Sequence, residues 1–255
     1  MIFDSHAHYD DEAFEEDRDT LLSSFRDNGI EYVANIGANM ETSLNSIRLA
    51  EKYDFIYAVV GIHPDSPEEN TEENIKKLAE YCRKKKVAAI GEIGLDYHYE
   101  PEKKKVQMAC FEAQLDLAVK EKMPVVIHSR EAAKDTLDII KSCHTGLNGG
   151  VIHCFSYGTE MAREYLDMGF YIGIGGVLTF KNAKKLKQVA EYVPIERIVI
   201  ETDCPYMSPE PNRGKRNTSL NLTYVAEALS RIKNISTEEV IDITCKNALD
   251  MYKIV

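Results

Sequence analysis

The sequence contains no run of about 18 apolar residues, the length a helix needs to cross a bilayer, so no segment reads as membrane-spanning. Its first residues show no basic region followed by an apolar core, and a signal peptide is not expected. The six cysteines (Cys82, Cys110, Cys143, Cys154, Cys204 and Cys245) form no C-x-x-C pair. In a chain of this size they read as reduced thiols, and a cytoplasmic location is the expectation. Positive charge is not in excess: 31 Lys and Arg against 42 Asp and Glu give a formal net charge of −11. That argues against non-specific adhesion to nucleic acid, yet leaves room for an enzyme with a locally basic mouth. Low-complexity tracts, Gly/Ser/Pro-rich linkers and repeats of about 20–50 residues are also missing. With 255 residues, 44% of them hydrophobic, the chain reads as one domain, 1–255, with one sizeable core. The oligomeric state is left open, with a monomer as the expectation.

What recurs instead is an alternation of short β-branched runs with longer amphipathic stretches. Strands are predicted at 2–6, 31–37, 55–61, 87–93, 124–128, 150–154, 170–174 and 197–202. They are short, mostly apolar and bounded by Gly, Pro or charge, as buried parallel strands should be. Between them, "FEEDRDTLLSSFRDNG" groups Phe14, Leu21, Leu22 and Phe25 and ends at Gly29. "PEKKKVQMACFEAQLDLAVKEK" puts Val106, Cys110, Ala113 and Leu117 on one stripe. Capping boxes are predicted at Ser66 and Ser236, and two closing helices at about 219–233 and 237–253. Eight strands alternating with helices predict an α/β fold, a closed (β/α)8 TIM barrel. An open doubly wound sheet is the alternative, but its Gly-rich phosphate fingerprint is missing after the first strand.

That first strand ends instead in "DSHAHYD", where side-chain alternation would turn Asp4, His6 and His8 to one face. Other strand ends carry similar groups: His63 in "GIHP", Glu92 in "GEIGLDYH", His128 in "IHSR", His153 in "IHCF", and Glu201 and Asp203 in "ETDCP". In a barrel these ends share one mouth, where the active sites of such barrels lie. Imidazoles and carboxylates converging from several strands make a divalent-metal site, and at least six candidate ligands exceed what one tetrahedral ion takes, so two ions are expected. Alternation turns Cys154 and Cys204 away from the mouth as packing residues. His98 and His144 fall outside strand ends and read as surface groups.

The motifs "DSHAHYD", "GIHP", "IGEIGLDYHY", "HSR", "IHCFS", "ETDCPY", "RGKRN" and "KNALDMY" run in order from residue 4 to residue 252. Together they resemble the TatD family of metal-dependent hydrolases, within the amidohydrolase-like barrel superfamily. The resemblance implies a two-metal phosphodiesterase, usually described as a DNase. It implies that His6, His8 and Asp203 hold one metal, that His128 and His153 hold the other, that Glu92 bridges both, and that His63 faces substrate phosphate. Family descriptions often name Mg2+, whereas four imidazoles favour Zn2+, Mn2+, Fe2+ or Ni2+ by ligand softness. Strand 4 offers Glu92 and no Lys at the bridging place. The sequence departs from the family pattern at Asp65, where a second His is common, and at Thr218-Ser219, where Glu-Pro is common; both departures are expected at the substrate rim.

The expected chemistry is metal-assisted hydrolysis, with Asp203 and Glu92 as catalytic groups and Asp203 accepting the proton of the attacking water. His63 and Arg130 are candidate donors to phosphoryl oxygens; an ion pair of Arg130 with Glu201 or Asp96 is the alternative. Arg213, Lys215 and Arg216 of "PNRGKRN", with Lys103, Lys104 and Lys105, are expected to make a basic rim for DNA, and Tyr97, Tyr99 or Tyr206 to be available for stacking on bases. The leading expectation is a deoxyribonuclease of 3′–5′ exonuclease type on single-stranded DNA. The alternatives are hydrolysis of another ester or amide, such as D-aminoacyl-tRNA, and a non-catalytic metal-binding module.

Overall fold

The computed structural model describes residues 1–254, with the side chain of His144 outside the described set. Among these residues, eight parallel strands form one sheet in sequential order. They are β1 (Ile2–Ala7), β2 (Ile30–Ile36), β3 (Ile56–Val60), β4 (Val87–Asp96), β5 (Val125–Arg130), β6 (Gly150–Ile152), β7 (Tyr171–Ile174) and β8 (Ile198–Ile200). The helices are α1 (Arg18–Ser23), α2 (Met40–Lys52), α3 (Glu72–Cys82), α4 (Lys104–Glu121), α5 (Ala133–Cys143), α6 (Thr159–Asp167), α7 (Lys184–Tyr192), α8 (Leu222–Lys233) and α9 (Thr237–Met251). No helix among the described residues is long and apolar enough to cross a membrane.

The sheet closes into the barrel through a short seam. β8 is only three residues long, and the chain beyond it completes the join to β1. Ser5 Oγ donates to the Ile200 carbonyl at 3.0 Å, and Ala7 pairs with Cys204 as an isolated parallel bridge. The Asp203 amide donates to the His6 carbonyl and the His8 amide to that of Cys204, both at 2.9 Å. Two residues marked by the sequence thus stand where the barrel shuts.

Alternating strand residues split into two layers, as the period of a strand requires. Phe3, Val59, Val126, Val151 and Val199 form one buried cluster with Tyr252. The Tyr252 hydroxyl reaches the Ser5 carbonyl at 2.7 Å and plugs the N-terminal end of the barrel. Ile90, Val125, Ile127, Ile152 and Ile172 belong to the other cluster, against the helices.

Local departures from the sequence reading have local causes. The first amphipathic stretch is broken into the short α1 between two 3-10 turns, though Gly29 ends it in the left-handed conformation as expected. Ser66 makes no capping bond; Pro67–Glu69 is one 3-10 turn, and the Glu69 carboxylate instead accepts from the Met40 amide at the start of α2. Ser236 does cap α9. On α4, Val106 is exposed, and the buried stripe carries Gln107, Cys110, Gln114 and Leu117. The two glutamines, seven apart and so on one face, each bond both peptide groups of one residue near a strand end. Gln114 takes the amide and carbonyl of Ile62. Gln107 takes those of Asp96. They hold the turns bearing His63 and Asp96.

One glycine is dictated by close approach. Gly94 lies at φ +145°, and a Cβ there would stand 1.9 Å from the His128 carbonyl oxygen. Gly94→Ala should therefore cost on the order of 3 kcal/mol, a fall of about 10 °C in melting temperature by thermal denaturation. An unchanged melting temperature would show that β4 and β5 can part freely at this point.

Candidate metal centre

Four imidazoles and two carboxylates meet at the C-terminal ends of the strands. His6 and His8 bring their Nε2 atoms to 3.2 Å from each other. His128 Nδ1 and His153 Nε2 form a second such pair, also 3.2 Å apart. Glu92 lies between the pairs with one oxygen toward each. Its Oε1 is 2.7 Å from His128 Nδ1 and 2.6 Å from His153 Nε2. Its Oε2 is 3.3 Å from His6 Nε2 and 4.0 Å from His8 Nε2. Asp203 Oδ1 completes the first group, 3.4 Å from His8 Nε2 and 3.7 Å from His6 Nε2. His6, His8 and Asp203 form one potential metal cluster, and His63, Glu92 and His128 another.

The surrounding groups fix which ring nitrogens face inward. His8 Nδ1 donates to the Ile36 carbonyl at 3.0 Å, leaving Nε2 turned toward the site as the nitrogen a metal would take. His128 Nε2 donates to Asp96 Oδ2 at 3.0 Å, leaving Nδ1 inward. Asp96 was not singled out as a site residue from the sequence; its position in "GLDYH", at the end of β4, was the available signal. Glu201 lies behind the other two rings. It forms a cluster with His6 and His153, with Oε1 3.8 Å from His153 Nδ1. The Nδ1 atoms of both rings are buried without a hydrogen-bond partner among the described residues. A carboxylate behind a ligating imidazole is the usual way its orientation is set.

The electrostatics suit a cation. Burial alone would raise the Glu92 carboxyl, but the imidazoles of His153, His63, His6 and His128 hold it well below the usual carboxylate range. Asp203 is likewise held low against burial, by its bond to His8 and by the neighbouring rings. Burial works to lower His128, yet hydrogen bonds to Asp96 and Glu92 bring it up to about 10. Burial also opposes the charge on His8, which Asp203 and Glu92 raise to about 9. Two ionised carboxylates thus hold protons on neighbouring rings, which a divalent ion would displace. Inward ring nitrogens and buried anions converging on one space are the donor set that imidazole-binding divalent metals take.

Other expected residues are placed variously. His63 turns Nε2 to within 3.6 Å of Glu92 Oε1, while its Nδ1 accepts from the Asp65 amide at 3.1 Å. It is a turn device and a site-facing group at once. Arg130 stacks its guanidinium 4.9 Å over Tyr99 and makes no ion pair with Asp96 or Glu201. Arg213 lies 4.2 Å over Phe180. Arg216 is not a free rim cation. It forms a bidentate ion pair with Asp17, at 2.8 and 2.6 Å, and bonds the Ala13 carbonyl. Lys103 and Lys104 pair with Glu100 and Asp135. His98 is a surface residue bonded to Glu131.

Three sequence expectations are corrected. Asp4 does not join the imidazoles; its carboxylate accepts from Thr202 Oγ1 at 2.7 Å and Ser219 Oγ at 2.6 Å. The β1–β2 register is irregular between Asp4 and Ala7, so simple alternation fails there. Ser219 is not at a rim but fully buried, sharing Asp4 with the Tyr9 hydroxyl network. Cys154 does not turn to the helices: β6 ends at Ile152, and Cys154 takes φ +45°, which brings it to the mouth beside Asp203. Cys204 is fully buried, as expected. Asn217, unread in the sequence, donates to the carbonyls of Thr202 and Tyr206 and so clasps the turn that carries Asp203.

Asp96→Asn should loosen His128 without removing a donor that faces the site. Competition against a graded chelator should show divalent-metal affinity weakened by about 10–100-fold. Wild-type affinity in this variant would mean that Asp96 does not orient the ring.

A family model described as TatD related DNase matches residues 3–253. The chain is 39% identical over 254 residues to YabD of Bacillus subtilis, an uncharacterized metal-dependent hydrolase, with 100% of each chain covered. It is 33% identical over 257 residues to YcfH of Escherichia coli, another uncharacterized metal-dependent hydrolase, covering 100% of this chain and 96% of that one. Among solved structures, the Escherichia coli TatD homologue YJJV superposes with a TM-score of 0.93 at 26% identity, over 100% of this chain and 98% of the other. Barrel, strand-end donors and whole-chain similarity agree, and the chain belongs to the TatD family of metal-dependent hydrolases.

Proposed function

We propose that this hydrolase cleaves phosphodiester bonds, as a deoxyribonuclease of 3′–5′ exonuclease type on single-stranded DNA. In this reading His6, His8 and Asp203 hold one divalent ion, His128 and His153 hold a second, and Glu92 is shared. The observation that carries it is the placement of the two Glu92 oxygens, one toward each imidazole pair. Held by these residues, divalent ions would supply Lewis acidity and would lower the pKa of water at the site toward neutrality. Zn2+, Fe2+ and Ni2+ suit the imidazoles, while Mn2+, grouped with them in the sequence-based expectation, belongs with Mg2+ among the ions that suit the carboxylates.

The chain's own residues divide the remaining work. Asp203, ionised and at the site's edge, takes the proton of the attacking water. His63, with Nε2 toward Glu92, and Arg130, two residues beyond His128, offer donors to the phosphoryl oxygens. Arg213 remains exposed on the loop after β8, so a polyanion meets local positive charge on a protein of net charge −11. The match to a model described as TatD related DNase supports the same substrate class.

Metal-titrated hydrolysis of single-stranded DNA, duplex DNA, RNA and aminoacyl-tRNA tests the reading; turnover of the aminoacyl ester alone would replace it. Glu92→Gln should lower metal content at both positions by elemental analysis, since a neutral amide bridges two cations poorly. Asp203→Asn should keep part of its metal and lose about 10²–10⁴-fold in turnover. Equal metal content in Glu92→Gln and the parent would remove the bridging role.

The two loop arginines should behave differently. Arg213→Ala should flatten the salt dependence of oligonucleotide binding by up to about 0.7 in log–log slope. Arg216→Ala should leave that slope alone and lower the melting temperature, because its charge faces Asp17. Equal slopes in parent and Arg213→Ala would take that residue out of the substrate path.

A further inference from the structure

A cavity of about 310 Å³ opens directly beside Asp203, between the turns that follow β6, β7 and β8. Its walls are apolar: Phe155, Val177, Leu186 and Met207. Gly175 and Gly176 also line it, and a Cβ on Gly176 would stand 2.2 Å from the Met207 carbonyl oxygen, so this turn packs closely on the loop that carries Met207. The edge is polar and of mixed charge, with Glu201 and Asp203 among the lining residues. Asn182 and Lys185 stand at one edge, and Lys185 has no acidic partner within 4.0 Å among the described residues. Arg213 comes from the opposite loop to stack on Phe180, five residues before Lys185. No sequence motif marked residues 175–187, and the reactions assigned above to Glu92 and Asp203 make no use of this space.

We propose that the cavity is the subsite for a single nucleobase, that of the nucleotide whose phosphate lies at the metal centre. The proposal rests on the phosphodiesterase reading and deepens it. Size comes first: the volume is at the low end of the roughly 300–1,000 Å³ usual for small-molecule sites, room for a ring system and part of its sugar. Surface comes second. An aromatic ring, a thioether and two aliphatic side chains line a slot for a flat π-system, and such contacts tolerate any base. Charge comes third. Lys185 at the edge of an apolar slot, with Asp203 and the donor set for cations beside it, fits an apolar ring joined to a chain of phosphates. A neutral acyl or alkyl group would leave Lys185 without a counterpart. A base seated between these walls is out of its stack and unpaired, so a duplex end must fray before it enters, and single-stranded DNA is favoured for that physical reason.

Competition against bis(p-nitrophenyl) phosphate hydrolysis by the metal-loaded protein tests this. Thymidine 5′-monophosphate should inhibit with a Ki roughly tenfold or more below that of 2-deoxyribose 5-phosphate, which shares the sugar and phosphate but lacks the base. Val177→Trp, which fills the slot, should bring the ratio of the two Ki values toward one. Met207→Ala serves as a second variant at an exposed position where folding is not at stake, and should lower the same ratio severalfold. Equal Ki values in the parent protein, or a ratio untouched by both substitutions, would overturn the subsite while leaving the phosphodiesterase reading intact. No hydrolysis of the aryl diester at any metal concentration would instead remove that reading. Direct titration of the two phosphates, followed by calorimetry, would then still decide whether the slot takes a base.

Discussion

The structure depends on one buried carboxylate. Glu92 sits 4% exposed with an imidazole pair on each side. Removing a carboxylate from water costs several kcal/mol unless opposite charge and hydrogen bonds replace the solvent. Here the replacement comes from rings borne by β1, β5 and the turn after β6, so the anion is tolerable only when the barrel is closed. Closure therefore has to be accurate at this end, and the seam between β1 and the chain after β8 is made there. The outer groups serve the same constraint: Asp96, the Ile36 carbonyl and Glu201 turn the rings so that one nitrogen of each faces the anion's neighbourhood.

Left-handed backbone recurs at the mouth, where three strands end in it. The chain leaves β5, β6 and β8 through Glu131, Cys154 and Asp203, all non-glycine residues at φ between +45° and +56°. Such conformations cost about 1–2 kcal/mol each and persist where surrounding bonds leave no alternative. The Cys154 amide is fixed by Glu201 Oε1 at 2.5 Å, and the Asp203 amide by the His6 carbonyl. At the other end, Tyr252 and the valine layer supply packing with no chemistry. Rigidity is thus drawn from one end of the barrel and used at the other.

Most of this was legible because histidine is rare in the chain and strands are periodic. Seven histidines in 255 residues, with five at predicted strand ends, could be read as donors once the strands were placed, and all eight strands are present within a few residues of expectation. What escaped depends on contacts between distant segments or on broken periodicity. Arg216 is neutralised by Asp17, 199 residues away in sequence. Asp4 faces Ser219 because β1 slips register after it. Cys154 reaches the mouth because a left-handed residue ends the alternation that was used to exclude it. The apolar slot escaped because most of its lining, Gly173 to Leu186, lies outside every motif, and the rest comes from the turns after β6 and β8.

The segment from Thr202 to Ser219 has a consequence for how such an enzyme diversifies. One stretch shuts the barrel, presents Asp203, carries Arg213 and Met207, and is pinned internally by Asn217 and beneath by Asp4. Specificity and catalysis are therefore not on separable modules here. A lineage cannot exchange this loop for another without disturbing the barrel's last hydrogen bonds. Variation is channelled instead to the turns after β4 and β7, which border the mouth without closing it. Recombination among relatives should accordingly tolerate grafts of 175–187 more readily than grafts of 202–219.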